Sequence, residues 1–105
     1  MFLIHVSYKK PLPEVDRFLV EHRQFLDEYY RKGILIVSGT RKPRSGGVIF
    51  GKFTDRAAAE SFVKLDPFYR EEIADYDIVE FAATRCAKNF TSFLTKEDES
   101  TATVI

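Results

Sequence analysis

Few residues in this chain can do chemistry, and their spacing narrows what that chemistry can be. His22 lies four residues after Phe18 and four before Leu26. It therefore falls on the apolar stripe formed by Val15, Phe18, Leu19, Phe25, Leu26 and Tyr29, which repeats at helical spacing. Its imidazole points towards the face that other elements must cover. Two roles fit such a residue. It is a core histidine whose ring nitrogens are satisfied by backbone or water, or a proton-transfer group at the floor of a pocket, because imidazole titrates near neutral pH. Asp66 precedes Pro67 at a helix break, where Asp is a favoured N-cap and Pro a favoured first helical residue. Brought up to His22, its carboxylate would also orient the ring, since a cap leaves one oxygen free. Ser38, just before Gly39, reads as a turn serine or as a hydroxyl that binds a substrate oxygen. Arg41, Lys42 and Arg44 make a small positive loop. A solvated surface explains such a loop, but an arginine can also grip a carboxylate through two parallel hydrogen bonds, so a small anionic metabolite is the guest it suggests. His5, Glu80 and Cys86 read as structural.

The elements that must position these groups follow from periodicity and punctuation. Phe2 to Tyr8 alternates and is rich in β-formers, so it reads as a strand. Pro13 suits the first turn of a helix that runs to about Lys32, with Gly33 as its stop. Ile34 to Ser38 is a nearly continuous apolar run, which suits a strand covered on both faces or a central one. Gly39 to Gly47 reads as a loop and Gly47 to Phe53 as a third strand. Thr54 or Asp55 caps a second helix ending near Leu65, because the residue before Pro67 avoids helical backbone. A short helical turn over Pro67 to Ile73 and a strand over Tyr76 to Ala83 complete the order β-α-β-β-α-β. That is the ferredoxin-like α+β pattern, a four-stranded antiparallel sheet with both helices on one face. The opposite face then needs cover, and a homodimer packed sheet to sheet is the simplest solution. The expected organisation is one domain over residues 1–86 and a polar tail over 87–105, with Phe90, Phe93 and Leu94 able to dock the tail on the body or on a neighbour.

Composition sets outer limits. The 105 residues suit one modest core, and 45% apolar content with ten Phe and five Tyr fits a globular fold. Sixteen basic residues balance sixteen acidic ones, which gives no global electrostatic reason to expect nucleic acid or an anionic membrane. Cys86 is the sole cysteine, so no intrachain disulfide forms, and no Cys/His cluster has zinc spacing. The apolar runs are too short to span a bilayer and the N-terminus lacks signal-peptide character, so a cytoplasmic protein is expected. Phosphate-loop, dinucleotide and nucleophile-elbow motifs are absent, and no metal or cofactor is called for. The third strand, Gly-Val-Ile-Phe-Gly-Lys-Phe, does not carry the pattern of RNA-binding ferredoxin-like domains.

Taken in order, Tyr8-Lys9-Lys10-Pro11-Leu12, Glu14-Val15-Asp16, His22-Arg23, Phe25-Leu26, Ser38-Gly39, Pro43-Arg44, Gly46-Gly47-Val48-Ile49, Asp66-Pro67-Phe68, Tyr76 and Glu80-Phe81 resemble the YCII-related (YciI-like) proteins over roughly the first 85 residues. The resemblance implies a dimeric ferredoxin-like α+β barrel with a His and an Asp in its cleft, here His22 and Asp66. It also implies similarity to muconolactone isomerases, and one branch of the family removes chloride from its substrate. This chain carries Thr40 where the family commonly has Pro after Ser-Gly. The expectation is a small cofactor-free lyase or isomerase acting on a small carboxylate. His22 would move the proton, Asp66 would hold the ring, and Ser38 with Arg44 would bind substrate oxygens. The competing expectation is a non-catalytic dimeric binding or accessory domain.

Overall fold

A computed structural model describes residues 1–94. The strands are β1 (Phe2–Tyr8), β2 (Leu35–Thr40), β3 (Gly46–Gly51) and β4 (Ala74–Glu80). They form one antiparallel sheet in the order β2-β3-β1-β4, the ferredoxin-like arrangement expected from the sequence. The helices α1 (Leu12–Arg17), α2 (Leu19–Arg31), α3 (Arg56–Leu65) and α4 (Pro67–Arg70) join these strands. The core lies between helices and sheet. Phe2, Ile4 and Val6 of β1 and Ile49 of β3 meet Val15, Leu26, Ala59, Phe62 and Phe68. Phe62 is the hub of an aromatic cluster, with ring centres 5.1 Å from Phe25, 4.7 Å from Tyr29 and 5.0 Å from Phe53.

Several boundaries differ from the expected ones. The single helix expected over Pro13 to Lys32 is two, α1 and α2, joined at Phe18 with φ −112° and ψ 4°. No glycine or proline marks this break; Phe18 simply occupies the sparsely populated bridge region, and its N–H turns back to the Val15 carbonyl at 3.1 Å. The stripe survives, because His22 still donates its backbone N–H to Phe18 at 2.9 Å. β2 continues through Gly39 and Thr40, which pair with Val48 and Gly47, so the expected loop begins only at Arg41. β4 starts at Ala74 and ends at Glu80, earlier at both ends than expected, since pairing with β1 rather than apolar alternation sets its limits. The short helical turn expected over Pro67 to Ile73 closes at Arg70. Residues 88–93 of the tail form a 3-10 helix, with the Phe90 ring 6.1 Å from Phe50 on the open face of the sheet. The tail's remaining residues, 95–105, lie outside the described residues.

Two local devices place the site. Helix α2 ends in a Schellman motif: Gly33 at φ +74° donates to Tyr30 at 3.0 Å and Ile34 donates to Tyr29 at 3.0 Å. In β2 the pairing jumps from Leu35 opposite Gly51 to Val37 opposite Phe50, so Ile36 is an inserted bulge residue. Without it, strict alternation from Leu35 would turn Ser38 to the open face. With it, Ser38 sits opposite buried Ile49 and faces the helices.

Candidate functional site

The last turn of α3 stops at Leu65, and Asp66 caps two elements at once. Its backbone ends α3, while Oδ1 accepts the Phe68 N–H at 3.0 Å as the N-cap of α4. Pro67 fills the first position of α4, where no N–H is needed. This corner folds Asp66 inward until the residue is 0% exposed. A buried carboxylate without partners would cost several kcal/mol, and here three donors converge on it. His22 Nδ1 lies 2.8 Å from Oδ1 and 3.0 Å from Oδ2, Tyr76 donates its hydroxyl to Oδ2 at 2.5 Å, and the Phe68 N–H completes the set. Burial above all, then the Asp66 charge and the hydrogen bond to it, raise the Tyr76 pKa well above the ordinary phenol value. The phenol therefore stays protonated and donates.

A carboxylate only accepts, so Nδ1 is the ring nitrogen that donates to Asp66; in a neutral imidazole that tautomer leaves Nε2 as the acceptor. The ring is clamped by Phe68, stacked at 4.1 Å between centres and 4° between planes, and the Tyr8 ring meets Phe68 edge-on at 5.9 Å. His22 keeps 12% side-chain exposure and lines a cavity of about 190 Å³. α2 contributes Leu19, His22, Arg23 and Leu26 to its wall, β2 contributes Ser38, Gly39 and Thr40, and Tyr8 and Phe68 also line it. A positioned base beside a small cavity of mixed polarity can take a proton from a bound molecule and return it.

Of the residues singled out from the sequence, the structure brings together His22, Asp66 and Ser38. Ser38 lines the cavity, and its hydroxyl shares a 2.6 Å hydrogen bond with the Tyr30 hydroxyl. Arg44 is not among the lining residues; its guanidinium donates to Asp16 at 2.5 Å. That hydrogen bond, together with the charges of Arg44 and Arg23, holds the Asp16 carboxyl below its usual range. Arg41 is likewise committed, to Ser7 at 3.0 Å and the Ser45 carbonyl at 3.1 Å. Three residues of the site had no functional reading in the sequence: Tyr76, Tyr8 and Arg23. Arg23 carried a usable signal, being four residues after Leu19 and three before Leu26 on the edge of the stripe. Tyr76 carried none, because its approach to Asp66 depends on how β4 is seated. Among the described residues no three His, Cys, Asp or Glu side chains gather as a metal site, and no helix is long and apolar enough to cross a membrane.

A family model described as the YCII-related domain matches residues 1–82. Among solved structures, the chain is similar to 5-chloro-2-hydroxyhydroquinone dehydrochlorinase from Burkholderia phenoliruptrix in complex with 2,5-dihydroxybenzoquinone. The TM-score is 0.67 at 17% identity, covering 85% of this chain and 98% of that one. No curated protein matches the sequence.

Proposed function

The chain belongs to the YCII-related family, and from that premise we propose that it is a small-molecule enzyme of the lyase or isomerase type that works without a cofactor. One observation carries the reading: a buried carboxylate holds Nδ1 of His22 while the ring lines a cavity. Nε2 is then the base. It takes a proton from a carbon or hydroxyl next to a carbonyl or enol. The electron pair left behind either forms a new double bond as a leaving group departs with its own pair, or is reprotonated at another carbon. The first course is elimination, the second isomerisation. Asp66 stabilises the imidazolium formed in between, and Tyr76 and the Phe68 N–H hold Asp66 in place. Ser38 binds a substrate oxygen from the opposite wall. Arg44, given the same task on sequence grounds, reaches a substrate only by leaving Asp16.

The substrate class that suits a cavity of about 190 Å³ is a single small ring or short chain bearing acidic oxygens. The dehydrochlorinase with this fold binds such a ring, a dihydroxybenzoquinone. The protein acts as a homodimer through the open face of its sheet, in the cytoplasm. The test is a turnover screen with chlorinated hydroxyhydroquinones and small unsaturated lactones, followed by His22→Gln. Activity should fall by about 10²- to 10⁴-fold in the variant. A compound that raises the melting temperature of the wild type but is recovered unchanged would instead favour the non-catalytic binding domain.

A further inference from the structure

We propose that Arg23 is the specificity-determining residue of the cavity, selecting ligands that carry a deprotonated oxygen, and that the Asp16–Arg44 pair keeps it free to do so. The inference rests on the reading that this cavity holds a small molecule. Helix α2 puts Arg23 on the cavity wall directly after His22, so an arginine and the imidazole border it from adjacent helical positions. Among the described residues no acidic one lines the cavity; besides His22 and Arg23, its polar side chains are the neutral hydroxyls of Tyr8, Ser38 and Thr40. Arg23 is thus the one permanent charge on the wall among the described residues. An exposed arginine at the border of such a hollow suits an anion, which its guanidinium can bind with two parallel hydrogen bonds.

A competitor for Arg23 is Asp16, whose carboxyl feels its charge. Asp16 is occupied, however, by the Arg44 guanidinium, and Arg23 itself makes no hydrogen bond or ion pair among the described residues. Arg44 therefore serves the site indirectly. It neutralises the acid that would otherwise draw Arg23 out of the cavity.

The experiment is calorimetric titration at pH 7 with three single-ring probes: 2,5-dihydroxybenzoate, 2,5-dihydroxybenzoquinone and neutral hydroquinone. The first offers a carboxylate, the second an acidic enol oxygen, the third no charge, so the arms separate the two sources of anionic oxygen. The wild type should bind at least one anionic probe about tenfold or more tightly than hydroquinone. Arg23→Gln should abolish that preference, leaving the Kd for hydroquinone within about twofold of the wild type. Arg44→Gln should weaken anion binding, and Asp16→Asn added to it should restore the affinity. The proposal is overturned if the wild type shows no preference for anions, if Arg23→Gln weakens all three probes alike or none, or if Asp16→Asn fails to rescue Arg44→Gln. That last result would put Arg44 itself on the ligand. All readouts are binding constants, so a cavity that selects anions through Arg23 yet turns nothing over would refute the enzymatic reading while leaving this one standing.

Discussion

At the scale of single residues, the site is a buried carboxylate with three donors, and its behaviour follows from which of them is removed. Tyr76→Phe deletes one hydroxyl and leaves Asp66 with His22 and the Phe68 N–H. Losing a hydrogen bond to a charged acceptor should lower unfolding free energy by about 1.5–3 kcal/mol near neutral pH. The same substitution has a signature at high pH. The folded state raises the Tyr76 pKa, chiefly by burial and then through Asp66, whereas the unfolded phenol titrates at about 10. Above that value the unfolded chain binds fewer protons than the folded one, so stability falls as pH rises, by up to about 1.4 kcal/mol per unit for this group. The contribution is fully present below about pH 9 and declines from about pH 10 upward. Urea unfolding of wild type and Tyr76→Phe between pH 8 and 11 should show their difference shrinking at the alkaline end; a constant difference would mean the phenol is not held protonated. Asp66→Asn tests the tautomer. Nitrogen shifts of His22 should show Nδ1 protonated and Nε2 bare in the neutral wild-type ring, and the amide variant should lose that bias along with turnover, because its NH₂ group can donate where the carboxylate only accepts.

At the scale of elements, backbone devices aim the side chains, and they divide into those with a sequence mark and those without. Gly33 is marked. It stands just beyond α2 at φ +74° and closes the motif that turns the chain into β2. Gly33→Ala should cost about 1–2 kcal/mol by melting or urea titration, although a Cβ there meets nothing. Gly46 is stricter, since a Cβ would stand 1.8 Å from the Val6 carbonyl oxygen in the β1–β3 pairing. Gly46→Ala must part the two central strands and should destabilise by more than about 3 kcal/mol, or leave no folded protein in a circular dichroism melt. Asp66 before Pro67 was equally legible, because a cap and a helix stop are local chemistry, and the His22 stripe was legible because a helical period is local too. The break at Phe18 and the bulge at Ile36 were not. No residue type demands either one, and both come from fitting helix and strand to a common core. The bulge matters most for the site, since the apolar run Ile34 to Val37 hides which face Ser38 takes. Tyr76 and Arg23 escaped notice for a related reason. Sequence shows that a tyrosine lies on a strand and an arginine on a stripe's edge, but only the seating of β4 and α2 shows what they meet.

At the scale of the whole molecule, the sheet has one face buried by helices and an opposite face that carries an apolar patch. Leu3, Val37, Val48, Phe50 and Phe81 surround a shallow hollow of about 500 Å³ on the open side. Val37 is 57% exposed and Phe81 40%. The Phe50 ring stacks on Phe81 and on Phe90 there, with ring centres 5.9 Å and 6.1 Å apart respectively. Contiguous apolar surface of this kind is characteristic of an interface, and a second copy meeting it face to face would match like with like. Val37→Lys places a charge on the patch at a position whose exposure leaves the core untouched. We expect the wild type to run at twice the chain mass in light scattering at tens of micromolar, and Val37→Lys to run at the chain mass with an unchanged far-ultraviolet spectrum. The two hollows are not independent, because Ser38, Gly39 and Val48 border both the cavity of His22 and the open-face hollow. A partner pressed against β2 and β3 from one side would therefore bear on the wall of the cavity on the other. If so, Val37→Lys should weaken binding of 2,5-dihydroxybenzoate in step with dissociation, and raising the protein concentration should recover both together. A monomeric variant that binds as tightly as the wild type would show that each copy builds its cavity alone, and a wild type that is monomeric throughout would remove the dimer from the account.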